Sequence, residues 1–470
     1  MMVNSLLVVD IGKTNLKLTV LAADGSVEFQ RTQSNYLCTD GIYPSYDVEA
    51  IWDWLVTTIG HVAVDHPISH ICVATHGAAA ALIHPDMGEG RNGLVLPVLD
   101  YEWEGVRECD EEYDQLRPEF SESYSPALPA GLNLGRQLYW QSRRFSKEFK
   151  SAKYILPYAQ YWSWRLCGVA ACEVSALGSH TDLWAPKENT FSSLVGRLGW
   201  REKFAPVRPA WMVLGNVLPP VAKTTGLASD CQVLTGVHDS NASHARFMGL
   251  VRDARPVVVS TGTWVVAMHS SGDLSQLDPH RDMLANVDVT GAPIACARYM
   301  GGREFAEICT RLGCETSGEC SVHDLQSVID DKVFALPDFS GGSGPFGGRR
   351  AEIVANPSSG LALANLYAAL MIDLELDLLG ASGPVVIDGS FSQNEALCAL
   401  LASLRPGCRI TRMSGSDGVA QGCLLLAHWN TDQYCMRETS KCEQIKLEGL
   451  SAYRNEWRRR CKQDSEGHNA

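Results

Sequence analysis

Asp239 stands in the stretch TGVHDSNASHA, Thr235 to Ala245, just after the short apolar run Val233-Leu234 and directly before Ser240. A carboxylate placed there can take a proton from a hydroxyl as a general base, or it can cap the start of a helix, which Asp does well. Asp10 ends another apolar run, LLVVD, and is followed by Gly12-Lys13-Thr14. That tripeptide is the tail of the phosphate-binding pattern G-x-x-x-x-G-K-[ST]. The pattern needs a first glycine where this chain has Leu7, and after Thr14 the chain continues as a strand instead of a helix. A Walker-type loop is therefore excluded. A turn between two strands can still hold phosphate, because glycine admits close backbone approach and successive N–H groups form an anion nest. Asp10 at the strand end could position Mg²⁺ through waters. The plain alternative is a hairpin with an ordinary salt-bridged lysine.

A second turn of this kind lies 250 positions later. Aligning Val8-Val9-Asp10-Ile11-Gly12-Lys13-Thr14 with Val258-Val259-Ser260-Thr261-Gly262-Thr263-Trp264 superposes Gly12 on Gly262. The elements around the two turns also match. Leu6–Val9 reads as a strand, Leu16–Leu21 as a second, ADG at 23–25 as a hairpin turn, and Val27 onward as a third. Val48, Ile51, Trp52, Leu55 and Ile59 have helical spacing, and HICVATHG is a buried strand ending at His76-Gly77. In the second half, GPVVIDGSFSQNEALCALLASL is strand, glycine turn and helix, in the place that HICVATHG holds in the first. This layout reads as an ancient internal duplication. The expected domains are 1–250 and 251–470, with an aromatic, mostly helical insertion at about 105–200. A chain of 470 residues is also longer than one hydrophobic core usually serves.

Two facing turns can clamp a polyphosphate, as in ATPases where two related domains close on a nucleotide. Gly389 and Ser390 stand between a strand and a helix, a position that suits a nucleotide or simply a tight βα turn. Gly342, Gly344 and Gly347 in GGSGPFGG form G-x-G-x-x-G, but they follow no strand, include Pro345 and open no clear helix, so a dinucleotide fingerprint is rejected. The segment instead reads as a flexible loop. His238 and His244 have no nearby carboxylate and cysteine pair with zinc-ligand spacing.

Composition limits the partners. Lys and Arg number 40 against 54 Asp and Glu, a net charge of −14, which argues against nucleic acid. No run of about 18 uncharged apolar residues exists, so no membrane span is expected. Even GLALANLYAALMIDLELDLLG carries Asp373, Glu375 and Asp377. The 16 cysteines stand singly, with no C-x-x-C pair, and read as reduced core thiols of a cytoplasmic protein. The first residues lack the basic leader of a secretion signal.

With these pieces in order, the chain resembles the FGGY family of carbohydrate kinases over nearly its whole length. DIGKTNLK looks like the first phosphate turn, THG the sugar-contacting strand end, GVHDSNA the catalytic-base segment, STGTW the second phosphate turn, and DGSFSQN the adenosine turn. The resemblance implies an α/β fold of two duplicated actin-like, ribonuclease H-like domains with a cleft between them. It implies an ATP- and Mg²⁺-dependent transfer of the γ-phosphate to a sugar hydroxyl. Asp239 would be the catalytic base. Lys13, Thr14, Thr261, Gly262, Thr263, Gly389, Ser390 and Asn394 would bind ATP. His76, Gly77, Asp100 and Asp239 would surround the sugar, and Asp10 and Asp239 would position the metal. The motif texture is closest to L-fuculose and L-rhamnulose kinases, with xylulose, ribulose and polyols as alternatives. A silent nucleotide- or sugar-sensing protein of the same fold is the rival from another class. Expected partners are sugar and ATP, with no nucleic acid and no membrane, and a homodimer is allowed.

The departures from the family pattern fall in the sugar site. Lys13 stands where relatives often carry a small hydroxyl residue, CVATHG lacks a glutamine before its histidine, and LDYEWEG replaces the usual tryptophan–acidic–arginine element around Asp100 and Trp103. Asp388-Gly389 also replaces a glycine pair in the adenosine turn.

Overall fold

The computed structural model describes residues 5–86, 92–248, 256–413, 417–431 and 439–463. The chain divides into two compact units. The first comprises Met1–Gly249, Ala285–Pro293 and Asp417–Met436; the second comprises Leu250–Leu284, Ile294–Ser416 and Arg437–Ala470.

The first unit is built on β1 (Ser5–Ile11), β2 (Asn15–Ala22), β3 (Val27–Ser34), β4 (His70–Thr75), β5 (Val213–Asn216), β6 (Gln232–Leu234) and the short β7 (Val237–His238). Their order is β5-β6-β4-β1-β2-β3, with β7 also pairing β4. β1 and β4 run parallel and are buried almost end to end, which explains their continuous apolar runs. Helix Val48–Val62 covers one face with Val48, Ile51, Trp54, Leu55, Thr58, Ile59 and Val62. Its start is fixed by Asp47, whose carboxylate accepts from Ala50 N at 3.0 Å. Trp54 is the tryptophan that turns inward, while Trp52 stays half-buried under the Arg165 guanidinium at 4.2 Å.

On the other face lie helix Asp239–Ala245 and helix Gly418–Ala427, packed with Leu6, Val8, Cys72 and Ala74. The second helix comes from the C-terminal half of the sequence. The two helices touch where a Cβ on Gly422 would stand 1.8 Å from the Ala242 carbonyl oxygen, so only glycine permits this approach.

The second sheet is built on β8 (Val257–Thr261), β9 (Val265–His269), β10 (Met283–Val287), β11 (Pro293–Tyr299), β12 (Val385–Gly389), β13 (Ile410–Met413) and β14 (Thr439–Lys441). Their order is β10-β11-β9-β8-β12-β13-β14. The run β4-β1-β2-β3 of the first sheet is thus repeated as β12-β8-β9-β11, the duplicated α/β architecture anticipated from the two turns. The central pairs agree in direction as well, with β1–β4 and β8–β12 parallel and β1–β2 and β8–β9 antiparallel.

Helix Gly360–Leu378 is the acidic apolar segment noted above. Its Asp373 is fully buried and gathers Arg405 at 3.0 Å and Arg454 and Arg458 at 2.6 Å, tying helix Leu450–Gln463 to the unit. Among the described residues no helix is long and apolar enough to cross a membrane. The glycine-rich loop after β11 is more ordered than its composition suggests. The Asp338 carboxylate accepts from the N–H groups of Ser340, Gly341, Gly342 and Gly348 at 2.6–3.1 Å. Burial opposes its charge, but the bonds from Ser340 and these backbone groups outweigh it and hold the carboxyl below its usual range.

Candidate functional site

In the first unit, register does most of the positioning. β1 against β2 sets Asp10 opposite Lys17, and their side chains meet at 2.9 Å. β4 beside β1 sets Thr75 level with Ile11, and β7 beside β4 sets His238 level with Thr75. The chain therefore leaves β4 at His76-Gly77 and leaves β7 at Asp239, side by side. Gly77 is required here, because a Cβ would lie 2.8 Å from His238 Nε2.

Asp239 is the first residue of its helix, not its cap; the cap position is His238, which makes no side-chain capping bond. The Asp239 carboxylate accepts from Ser240 N at 2.6 Å, stands 3.3 Å from His238 Nε2, and is about a quarter exposed (26%). His238 is fixed from behind, since its Nδ1 lies 2.6 Å from Asn241 Oδ1 and 3.2 Å from Ser179 Oγ.

Asp10 is the most strained of these carboxylates. Burial, opposed by Lys17 and aided by Asp239 and Asp417, raises its pKa from the ordinary 3.8 to about 6. Lys17 also reaches Asp417 at 3.0 Å, where helix Gly418–Ala427 begins. Burial disfavours the Lys17 charge, yet its two carboxylates outweigh this and raise its pKa.

His76 is buried, its Nδ1 donates to the Gly77 carbonyl at 2.8 Å, and its Nε2 has no hydrogen-bond partner among the described residues. That bond fixes the neutral tautomer with Nε2 as an acceptor. Burial lowers its pKa to about 4, outweighing the Gly77 bond and the Asp239 charge that raise it, with the smallest contributions coming from Lys13 and His238, which lower it further. Tyr46 and Tyr101 flank the ring at 4.9 and 5.3 Å, and the buried Tyr46 hydroxyl is likewise unpartnered. Two unsatisfied buried polar atoms beside one carboxylate suit a ligand rich in hydroxyls.

Lys13 does not stay with its turn. Its ammonium ion-pairs with Asp100, lies 3.3 Å from Glu102, and sits over the Tyr101 ring at 4.8 Å and the Tyr46 ring at 5.5 Å. It thus joins Asp100 and the aromatic neighbours of His76. Thr14 is exposed. Trp103 is half-buried and packs edge-on against Trp140 at 4.9 Å.

In the second unit, a cavity of about 1000 Å³ is lined by residues that include Gly262, Thr263, Gly302, Arg303, Ser390 and Asn394. Close backbone approaches occur at and beside it. A Cβ on Gly389 would stand 1.9 Å from Thr261 O, and one on Gly302 would stand 2.2 Å from Gly262 O. The second approach brings the start of helix Gly301–Arg311 against the Gly262 turn. Two side chains anticipated as ATP ligands are already committed to the backbone or to a neighbour. The Thr261 hydroxyl donates to Asp388 O at 2.5 Å and accepts from Phe391 N at 2.9 Å, so it shapes the turn. Asn394 caps helix Glu395–Leu404 by accepting from Leu397 N, and its amide donates to Asn365. Sequence reasoning missed Gly301-Gly302-Arg303, although a strand followed by a glycine pair and a helix was visible there. It also missed Lys17 and Asp417, and the only signal for Asp417 was an Asp preceding a glycine and an apolar run.

No group of three or more His, Cys, Asp or Glu among the described residues forms a ready metal cage. The charges nevertheless suit a divalent cation held through waters, since Asp239 and Asp417 stand close enough to Asp10 to raise its pKa, and Lys17 pairs with Asp10 and Asp417.

Two sheets of repeated order, one unit with a carboxylate at a helix head and the other with a cavity beside the Gly262 turn, define a duplicated two-domain α/β protein. Comparison with known proteins agrees. The C-terminal domain of carbohydrate kinase FGGY matches residues 253–435. A carbohydrate kinase from Novosphingobium aromaticivorans is 33% identical, with a TM-score of 0.88 over 98% of this chain and 99% of its own. Xylulose kinase and gluconate kinase from Lactobacillus acidophilus share the fold at 14% identity, with TM-scores of 0.77 and 0.78; they cover 98% and 99% of this chain, and 98% of each is covered in return. No curated protein sequence matches the chain. The chain belongs to the FGGY family of carbohydrate kinases, phosphotransferases that use ATP.

Proposed function

We propose that this sugar kinase transfers the γ-phosphate of ATP to a hydroxyl of a ketose, with Asp239 as general base. The carrying observation is the Asp239 carboxylate at the head of its helix, beside a buried neutral His76 whose Nε2 lacks a partner. In this reading His76 accepts a bond from one sugar hydroxyl while Asp239 accepts the proton of the hydroxyl that is phosphorylated. Asp100, Tyr46 and the backbone at Gly77 complete the acceptor wall. The second-unit cavity takes the nucleotide, with Gly262, Thr263, Gly389 and Ser390 offering backbone and hydroxyl donors and Thr261 and Asn394 holding the shape. Asp10 and Asp239 would hold Mg²⁺ through waters, and the ion would neutralise charge developing on the transferred phosphoryl group.

L-fuculose and L-rhamnulose are the first candidates, on motif texture; xylulose, ribulose and polyols are the alternatives. The singly spaced cysteines of the sequence support placing the enzyme in the cytoplasm.

The test is a panel of ketoses and polyols with coupled ADP detection, on the wild type and on Asp239→Asn. Sugar-stimulated ADP release should appear in the wild type and fall by roughly 10² to 10⁴ in the variant. An Asp239→Asn enzyme of near-normal kcat would end the assignment of the base.

A further inference from the structure

The destination of Lys13 bears on which acceptors the site can take. We propose that Lys13 is a specificity-determining residue of the acceptor wall, held by Asp100 and Glu102 as internal counter-ions, and that this arrangement selects neutral polyhydroxy sugars and excludes sugar acids. The inference rests on the reading that the acceptor binds beside His76 and Asp239.

The geometry carries it in three steps. First, the ammonium lies on the acceptor side. It shares the rings of Tyr46 and Tyr101 with His76, at 5.5 and 4.8 Å for Lys13 and at 4.9 and 5.3 Å for the imidazole. Second, its charge is already answered. Asp100, whose side chain is only 7% exposed, pairs with it directly and also accepts from Glu102 N at 3.2 Å, while the Glu102 carboxylate stands 3.3 Å away. Both rings add cation–π contact from their faces. Third, the wall is negative overall. Asp100, Glu102 and Asp239 face one ammonium and an imidazole that burial keeps neutral. A substrate carboxylate would bring a fourth negative charge and would have to compete with buried Asp100 and exposed Glu102 for the one ammonium. A hydroxyl needs neither, since it can donate to Asp100 and accept from Lys13 without changing the balance. Exclusion by unpaired like charge is the repulsive half of specificity.

The experiment compares wild type, Lys13→Met, Lys13→Arg and the double variant Asp100→Asn, Glu102→Gln. Each is assayed with L-fuculose, L-rhamnulose, D-xylulose, D-ribulose and D-gluconate, with KM for ATP measured in parallel and folding checked by circular dichroism. Wild type should prefer its best ketose over gluconate by roughly a hundredfold or more in kcat/KM. Lys13→Met should raise the ketose KM roughly tenfold and leave the ATP KM within about twofold, and Lys13→Arg should recover most of the loss. The double variant, which frees the ammonium, should narrow the ketose-to-gluconate ratio by about tenfold or more. A rise in ATP KM with ketose KM unchanged would make Lys13 a phosphate ligand and overturn the proposal, as would an unchanged ratio in the double variant. Calorimetric binding of the same sugars decides it independently of turnover. If wild type phosphorylates none of them, the acceptor assignment fails separately, and tighter gluconate than ketose binding to wild type still refutes the role given to Lys13.

Discussion

Replacing Asp10 by Asn should remove activity and, at neutral pH, stabilise the protein. The Asp10 carboxyl sits largely buried near Asp239, Asp417 and Lys17, with its pKa raised by that burial from 3.8 to about 6. A carboxyl raised on folding binds its proton more tightly in the folded state. Below pH 3.8 both states are protonated and Asp10 contributes no difference. Between 3.8 and about 6 the unfolded chain ionises first, so stability falls as pH rises, and above 6 the cost is constant. At about 1.36 kcal/mol per pH unit, the interval from 3.8 to about 6 amounts to about 3 kcal/mol, of which about 2 kcal/mol accrues above pH 4.5. Asn mimics the protonated form and escapes this cost.

The assay is urea unfolding of the metal-free protein, followed by tryptophan fluorescence from pH 4.5 to 7.5, for wild type and Asp10→Asn. The quantity to read is how the stability difference between the two changes with pH, because pH-independent effects of the substitution cancel in it. That difference should move in favour of Asp10→Asn by about 2 kcal/mol across the range, most of it before pH 6. A flat difference, or one moving toward wild type as pH rises, would refute the reasoning. The same variant should lose kinase activity, because what it gains in stability is the charge the chemistry uses.

Three other substitutions probe the scaffold. Gly422→Ala should destabilise the first unit and lower kcat: its Cβ would stand 1.8 Å from Ala242 O, and the helix-propensity gain of about 1 kcal/mol does not offset forcing the Asp239 helix aside. A thermal melt no lower than wild type would contradict this. Gly389→Ala combines a backbone at φ 84°, ψ −152° with a Cβ 1.9 Å from Thr261 O, so the ATP KM should rise along with a fall in Tm. Asp373→Ala leaves Arg405, Arg454 and Arg458 with only the more exposed Asp377 as partner, and urea unfolding should show a loss of roughly 1–3 kcal/mol in the second unit.

The parts of the site that were legible in the sequence are those that backbone periodicity and glycine mark. The two strand–turn–strand elements, the buried strand ending at His76 and the carboxylate after Val237-His238 all follow from short apolar runs broken at one residue. The parts that were not legible depend on contacts remote in sequence or on the reach of long side chains. Asp417 is 178 positions from Asp239, and nothing local says that its helix crosses the Asp239 helix at Gly422. Lys13 belongs by sequence to a phosphate turn, but its four-carbon stem carries the charge to Asp100. Thr261 and Asn394 present the right chemistry for a ligand and use it on their own backbone or on Asn365. Spacing alone cannot separate those outcomes.

The two copies of one backbone plan differ in where they carry charge. The strand registers set Asp10 opposite Lys17 in the first hairpin and Ser260 opposite Val266 in the second. The first turn closes from Gly12 N to Asn15 O and the second from Gly262 N to Trp264 O, so the first is one residue longer. The parallel neighbours correspond too, with Ile11 level with Thr75 and Thr261 level with Gly389, which makes His76 and Ser390 counterparts. One backbone plan thus carries an acid, a base and an imidazole in the first copy and small uncharged residues in the second. Buried charge is costly, as Asp10 shows, and it would repel a polyphosphate if repeated at Ser260. In the proposed function, leaving the second turn neutral would expose backbone donors without a like charge behind them, while the first turn keeps the carboxylates that the proposed proton transfer and divalent cation would use.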